Sequence, residues 1–284
     1  MPERTSPVDD DPHATERIAA LAESEGLGAH VGTYLWTTLR LPWSRYLVGA
    51  VSLGVVTALL FAVGPLTGAI ATGLCVLVLV GPIALRARAR VRHVRAGSRL
   101  ELYENGLIAI GAGTASRVVQ YSDTTVFVTI RSVVWMTTGE TEYSRYRYRL
   151  TDTAGRELTL ADLSGTHMWI PGGYAGGPEW GAAIGRGIVA RRFATALADL
   201  DQGLELDFGP IRVSAQYLAQ GKRLTPWSEI LAIEIDNGNV RVVAGKSGGK
   251  RKPVAYSPIP LIANYHLWYA LAEHLRQRSS TSTR

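Results

Sequence analysis

The pattern of apolar and polar positions divides the chain into two regimes. From Tyr46 to Leu85 no charged residue occurs across 40 positions, twice the roughly 20 apolar residues that a membrane-spanning helix needs. The run breaks at Gly64-Pro65, and each half carries ten Leu, Ile, Val or Phe residues. This predicts two spans, about 46–64 and 66–85, joined by a tight turn. A water-facing helix pair would need a polar face, which neither half has. A signal peptide does not fit, because the run starts 45 residues into the chain and no cleavage pattern follows.

Beyond Arg99 the period changes from helical to alternating. LELYENGLIAI (100–110) sets Asn105-Gly106 between two apolar runs, a hairpin signal. TVFVTIRSVVW (125–135) is rich in β-branched and aromatic residues, as strands are. In YSRYRYRL (143–150), Tyr146, Tyr148 and Leu150 fall on one face and Arg145, Arg147 and Arg149 on the other. DTAG (152–155) predicts a turn into RELTLADL, and the Gly-rich 164–181 a long loop. An amphipathic helix follows over 182–200. The pattern then restarts, with strands at LELDF, IRVSAQYL, KRLTPW, SEILAIEI, VRVVAG and PVAYS and a helix over about 261–277. With Asn237-Gly238 as a turn, Ile235 opposes Val240, Glu234 opposes Arg241 and Ile233 opposes Val242, so the four apolar residues share the buried face. Both halves contain an aromatic-Ser-acid step, Tyr121-Ser122-Asp123 and Trp227-Ser228-Glu229, which suggests a duplication.

The expected organisation is a disordered tail (1–13), a cytoplasmic helical connector (14–43), and a transmembrane hairpin with its exit (44–98). Two β-rich repeats (99–202 and 203–278) and a short tail (279–284) complete it. Strands closed by one amphipathic helix are the plan of a pleckstrin-homology-like (PH-like) domain. The fold class is therefore an α+β membrane protein, a two-helix transmembrane hairpin followed by a duplicated PH-like antiparallel module.

Composition and charge refine this picture. The chain is 46% hydrophobic and 19% charged, with a net charge of +6, which excludes a charge-rich disordered protein. The single cysteine, Cys75, excludes a disulfide scaffold and a cysteine-cluster metal site. Arg40 and Arg45 precede the apolar run, and Arg86, Arg88, Arg90, Arg92, Arg95 and Arg99 follow it. By the positive-inside rule both flanks face the cytoplasm, giving a multi-pass protein of the inner membrane with both termini cytoplasmic. Ala50, Gly54, Ala58 and Ala62 recur every four residues, a stripe that either packs a homo-oligomer in lipid or reflects abundant Ala and Gly.

No catalytic constellation emerges. Gly245-Lys246-Ser247-Gly248-Gly249 matches G-x-S-x-G but lacks the strand-turn-helix context of a nucleophile elbow. Gly185-Arg186-Gly187 lies within a helical run and reads as packing glycine. The six histidines are scattered without ligand spacing, so neither a metal nor a cofactor is expected. The Arg-Tyr alternation at 145–149 puts the two residue types on opposite faces, which argues against nucleic acid and for a solvated Arg face. Two basic patches remain: the Arg86–Arg99 series, and Lys246, Lys250, Arg251 and Lys252 in one loop. Each either has no ligand or holds anionic lipid headgroups or a protein partner.

The tight hairpin, the Arg-rich exit, YENGL (103–107), PWSEI (226–230) and the final helix together resemble a family of uncharacterised two-span membrane proteins from GC-rich, actinobacterial-type bacteria. The resemblance covers about residues 30–276 and implies a cytoplasmic PH-like domain on the bilayer, with no catalytic residue to carry over. The function expected is a non-enzymatic, membrane-anchored adaptor or scaffold. The alternatives are a membrane enzyme with an unrecognised site and a structural subunit of a membrane complex.

Overall fold

A computed structural model describes residues 12–37, 64, 98–111, 116–134, 141–162, 173–245 and 251–281. Helix α1 (Pro12–Ser24) leads into strand β1 (His30–Thr37), which pairs antiparallel with β2 (Arg99–Tyr103). Strands β3 (Gly106–Ile110) and β4 (Arg117–Gln120) continue that meander, and the two-residue β8 (Gly173–Tyr174) closes its other side in the order β4-β3-β2-β1-β8. Strands β5 (Thr125–Val134), β6 (Thr141–Thr151) and β7 (Glu157–Ala161) form a three-stranded sheet, and α2 (Gly177–Asp201) follows β8. The second half has the same order. A four-stranded meander of β9 (Leu206–Asp207), β10 (Arg212–Val213), β11 (Tyr217–Gln220) and β12 (Arg223–Pro226) comes first. A three-stranded sheet of β13 (Ile230–Asp236), β14 (Asn239–Ala244) and β15 (Lys252–Pro258) precedes α3 (Tyr265–Thr281).

The transmembrane hairpin is corrected by this architecture. Among the described residues no helix is long and apolar enough to cross a membrane. Helix α2 has the length, at 25 residues, but carries Glu179, Arg186, Arg191, Arg192, Asp199 and Asp201, and such charges are costly in a bilayer. The other two helices are 13 and 17 residues long, short of the roughly 20 required. The expected membrane fold class and the multi-pass inner-membrane location are set aside with it. The stretches that carried the expectation, 46–64 and 66–85, lie outside the described residues apart from Gly64, as does the stripe of Ala50, Gly54, Ala58 and Ala62. The connector read over 14–43 contains a strand, β1, because His30–Thr37 alternates like a sheet strand rather than a helix.

A continuous apolar core runs through both halves. The paired aromatic-Ser-acid steps fall at corresponding places, between the last strand of the first meander (β4 or β12) and the first strand of the three-stranded sheet (β5 or β13), with Tyr121 and Trp227 both buried. The β13–β14 register is the one expected, Ile233 opposite Val242, Glu234 opposite Arg241 and Ile235 opposite Val240. Val240 and Val242 are fully buried and Ile233 packs against the core. Ile235 departs from the expected buried face: it is 49% exposed, although Val240 directly across from it is fully buried. The halves are joined by Asn264, whose left-handed backbone (φ 48°) turns it toward β5. Its N–H donates to the Val126 carbonyl at 2.7 Å, and its side-chain oxygen accepts from the Val126 N–H at 2.9 Å.

Helix α2 is buried on more than one side, and its glycines make that possible. A Cβ at Gly181 would meet the Tyr148 ring, at Gly185 the His266 ring and at Gly187 the Tyr121 ring. The closest approach is at Gly177, where a Cβ would lie 2.1 Å from the Asp162 carboxylate. Asp162 is buried, 1% exposed, beside the electropositive helix N-terminus that favours it. Gly177→Ala is therefore expected to cost about 2–3 kcal/mol, the range for overpacking a rigid site. Urea unfolding checks this, and Gly155→Ala, in an open turn with nothing within 4 Å of a Cβ, shows the smaller cost of a positive φ without a clash.

Candidate binding groove

A concavity of about 970 Å³ lies between α1 and the outward face of β1 and β2. Local sequence accounts for its shape. Helix α1 buries Ala22, with Ile18 and Leu21 partly covered, onto Tyr103, Ile108 and Val118 of the sheet. The following loop is tied to the β2–β3 turn: the Asn105 N–H donates to the Leu27 carbonyl at 2.9 Å, and the Glu104 N–H to the Ala29 carbonyl at 3.0 Å. Gly26 and Gly28 adopt positive φ, 64° and 80°, which glycine allows without a Cβ penalty. Those ties hold α1 over β2–β4 and leave β1 uncovered, so the groove opens along Thr33 and Leu35.

A β-bulge builds the floor. The β1–β2 register slips between His30 and Gly32, and Thr33 sits directly across from Glu101. An extra residue reverses side-chain alternation. It thereby brings His30 and Thr33, three apart and otherwise on opposite faces, to the same carboxylate. The Glu101 side chain is 6% exposed and fully engaged. Its Oε1 receives Arg99 Nε at 2.9 Å, and its Oε2 accepts from Thr33 Oγ1 at 2.5 Å and meets His30 Nε2 at 2.9 Å. The His30 ring meets Tyr103 edge-on at 5.3 Å. Burial, and after it the Glu101 carboxylate, push the Tyr103 phenol up from its ordinary pKa.

The hydrogen bonds fix proton positions. Thr33 gives its one proton to Glu101, so at His30 Nε2, 3.2 Å away, its oxygen can only accept. The imidazole therefore carries a proton on Nε2, shared between Glu101 and Thr33. A catalytic relay needs the opposite arrangement, with hydroxyl and carboxylate on different ring nitrogens and the hydroxyl proton aimed at the base. The cluster is thus an ion-paired floor and leaves Thr33 unactivated. The walls are apolar, formed by Ile18, Ala19 and Leu35, and Glu23 adds a second carboxylate at the rim.

Of the described basic residues singled out from sequence, Arg99 reaches this groove, where it pairs with Glu101. Arg86, Arg88, Arg90, Arg92, Arg95, Lys246 and Lys250 lie outside the described residues. Arg251 and Lys252 are exposed at the start of β15, in the other half of the chain. Among the described residues no group of His, Cys, Asp or Glu could hold a metal ion. Sequence reasoning missed His30, Thr33 and Glu101. The strand alternation of GTYLWT was the available signal, but it adjoins the long apolar run, and the bulge that gathers the cluster has no mark in the sequence.

The fold and groove define a two-part antiparallel sheet protein with a helix-walled groove on its first sheet. The chain belongs to the family described as "Family of unknown function (DUF6585)", whose model matches residues 15–281. That description mentions neither a membrane span nor a PH-like domain, so the resemblance drawn from sequence gains nothing from it. No curated protein and no solved structure matches the chain.

Proposed function

We propose that this protein is a binding module rather than an enzyme, and that its groove receives an apolar segment of a protein partner. The observation that carries this reading is the pairing of apolar walls with a floor whose polar groups already satisfy one another. Such a site offers shape and apolar surface but no reactive group. The charge balance among the described lining residues supports a protein segment over an anionic headgroup: Glu23 and Glu101 stand against one arginine, Arg99. Leu35, 51% exposed in the groove, is the natural anchor contact, since burying such a side chain contributes roughly 1.5–3 kcal/mol.

The test is selection of a random peptide library on the full chain. Enriched peptides should carry apolar anchors. Ala19→Trp, which fills the groove from an exposed helix position, and Leu35→Asp should each weaken their binding by about tenfold or more. Leu224→Asp, at an equally exposed leucine of β12, should leave it unchanged. Binders indifferent to Ala19→Trp, or a selection that enriches nothing, would sink the reading.

A further inference from the structure

The outward side of the β5–β6–β7 sheet carries arginines that the groove does not use. Tyr148 and Leu150 of β6 are buried and Tyr146 packs against the core, so positions 147 and 149 fall on the other side. Both are arginine. No carboxylate stands across from Arg147 or Arg149: their partners are Thr129 and Phe127 on β5, and Ala161 and Thr159 on β7. Both arginines are exposed, and neither takes part in the ion pairs formed among the described residues. The Arg149 guanidinium instead lies over the Phe127 ring at 4.7 Å. Among the described residues Glu157 is the one acid on this side, and it stands at the far end, opposite Thr151.

We propose that this face docks an acidic segment of a partner protein, held extended along β6. Alternate residues of a strand are spaced by about 6.6–6.8 Å, so alternate acids of an extended peptide match the spacing of Arg147 and Arg149. Guanidinium forks take carboxylates with two parallel hydrogen bonds. Single-stranded nucleic acid is disfavoured because its bases need a free aromatic platform, and Phe127 is already covered by Arg149. An anionic bilayer would not require regular spacing.

The test is fluorescence anisotropy with the full chain and two labelled ten-residue peptides of equal composition. One alternates Glu and Thr, and the other places its five Glu in a block. The alternating peptide should bind about tenfold tighter or better, and binding should weaken as salt rises. Arg147→Glu with Arg149→Glu should lower that affinity at least about tenfold. The same double variant should gain affinity for an alternating Lys-Thr peptide, which a misfolded chain could not do. No preference for alternation, or equal binding by the double variant, overturns the proposal. Tighter binding of oligothymidylate or of phosphatidylserine vesicles than of the alternating peptide assigns the face to those ligands and overturns it equally.

Discussion

Replacing Trp180 with alanine is expected to remove about 3–5 kcal/mol of stability, the range for deleting a buried aromatic. Trp180 is fully buried on α2. Its ring meets Tyr148 of β6 edge-on at 5.2 Å, and its indole N–H donates to the Tyr174 carbonyl of β8 over a long 3.4 Å. A neutral hydrogen bond is worth about 1 kcal/mol and this one is stretched, so packing dominates. Trp180→Phe separates the two effects. It retains most of the ring contact and is expected to cost less than half as much in urea unfolding. If the Phe variant proves as unstable as the Ala variant, the hydrogen bond governs and the packing account is wrong. The consequence reaches the groove, because β8 pairs with β1 at Trp36 and Thr37, and Trp36 meets Tyr174 edge-on at 5.1 Å. Loosening α2 should therefore also loosen the strand that carries His30 and Thr33.

The parts of this fold that were legible in sequence are those specified by short-range pattern. Alternation in YRYRL put Tyr148 and Leu150 in the core, and the Asn237-Gly238 turn set the β13–β14 register residue for residue. Tertiary contacts defeated the same reasoning elsewhere. Helix α2 starts at Gly177, inside the stretch read as a loop. Glycines weaken an isolated helix, but here they admit the rings of Tyr148, His266 and Tyr121 to its surface. The groove was illegible for a related reason. Its floor joins residues about 70 apart through a bulge, and its wall is a helix whose apolar positions say nothing about which strand they leave open. The Arg99 side chain shows how charge misleads: it was read as part of a basic series and is bound to a buried carboxylate.

Acid sensitivity should trace in good part to His266. Its ring is enclosed by Tyr148, whose hydroxyl lies 3.2 Å from Nε2, by Tyr265 of its own helix, and by the Gly185 backbone of α2. Burial pushes its pKa down to about 4, against an ordinary value near 6.5. The sign follows from proton uptake. Below about pH 6.5 the unfolded chain protonates this imidazole while the folded chain refuses the proton until about pH 4, so unfolding gains a driving force as pH falls. The stabilisation is complete above pH 6.5 and is lost progressively between 6.5 and 4. From pH 7.5 to pH 5 the loss amounts to about 2 kcal/mol from this residue. His266→Gln is expected to be less stable at pH 7.5, because the ring contacts with Tyr148 and Tyr265 are gone, yet flatter with pH. Urea midpoints at several pH values for both chains isolate the effect, because the remaining titrating groups cancel in the difference. A variant whose stability falls as steeply as the parent's between pH 7.5 and 5 would show that the imidazole is already free to protonate in the folded state. In that case the seam between β6, α2 and α3 would be open to water at His266.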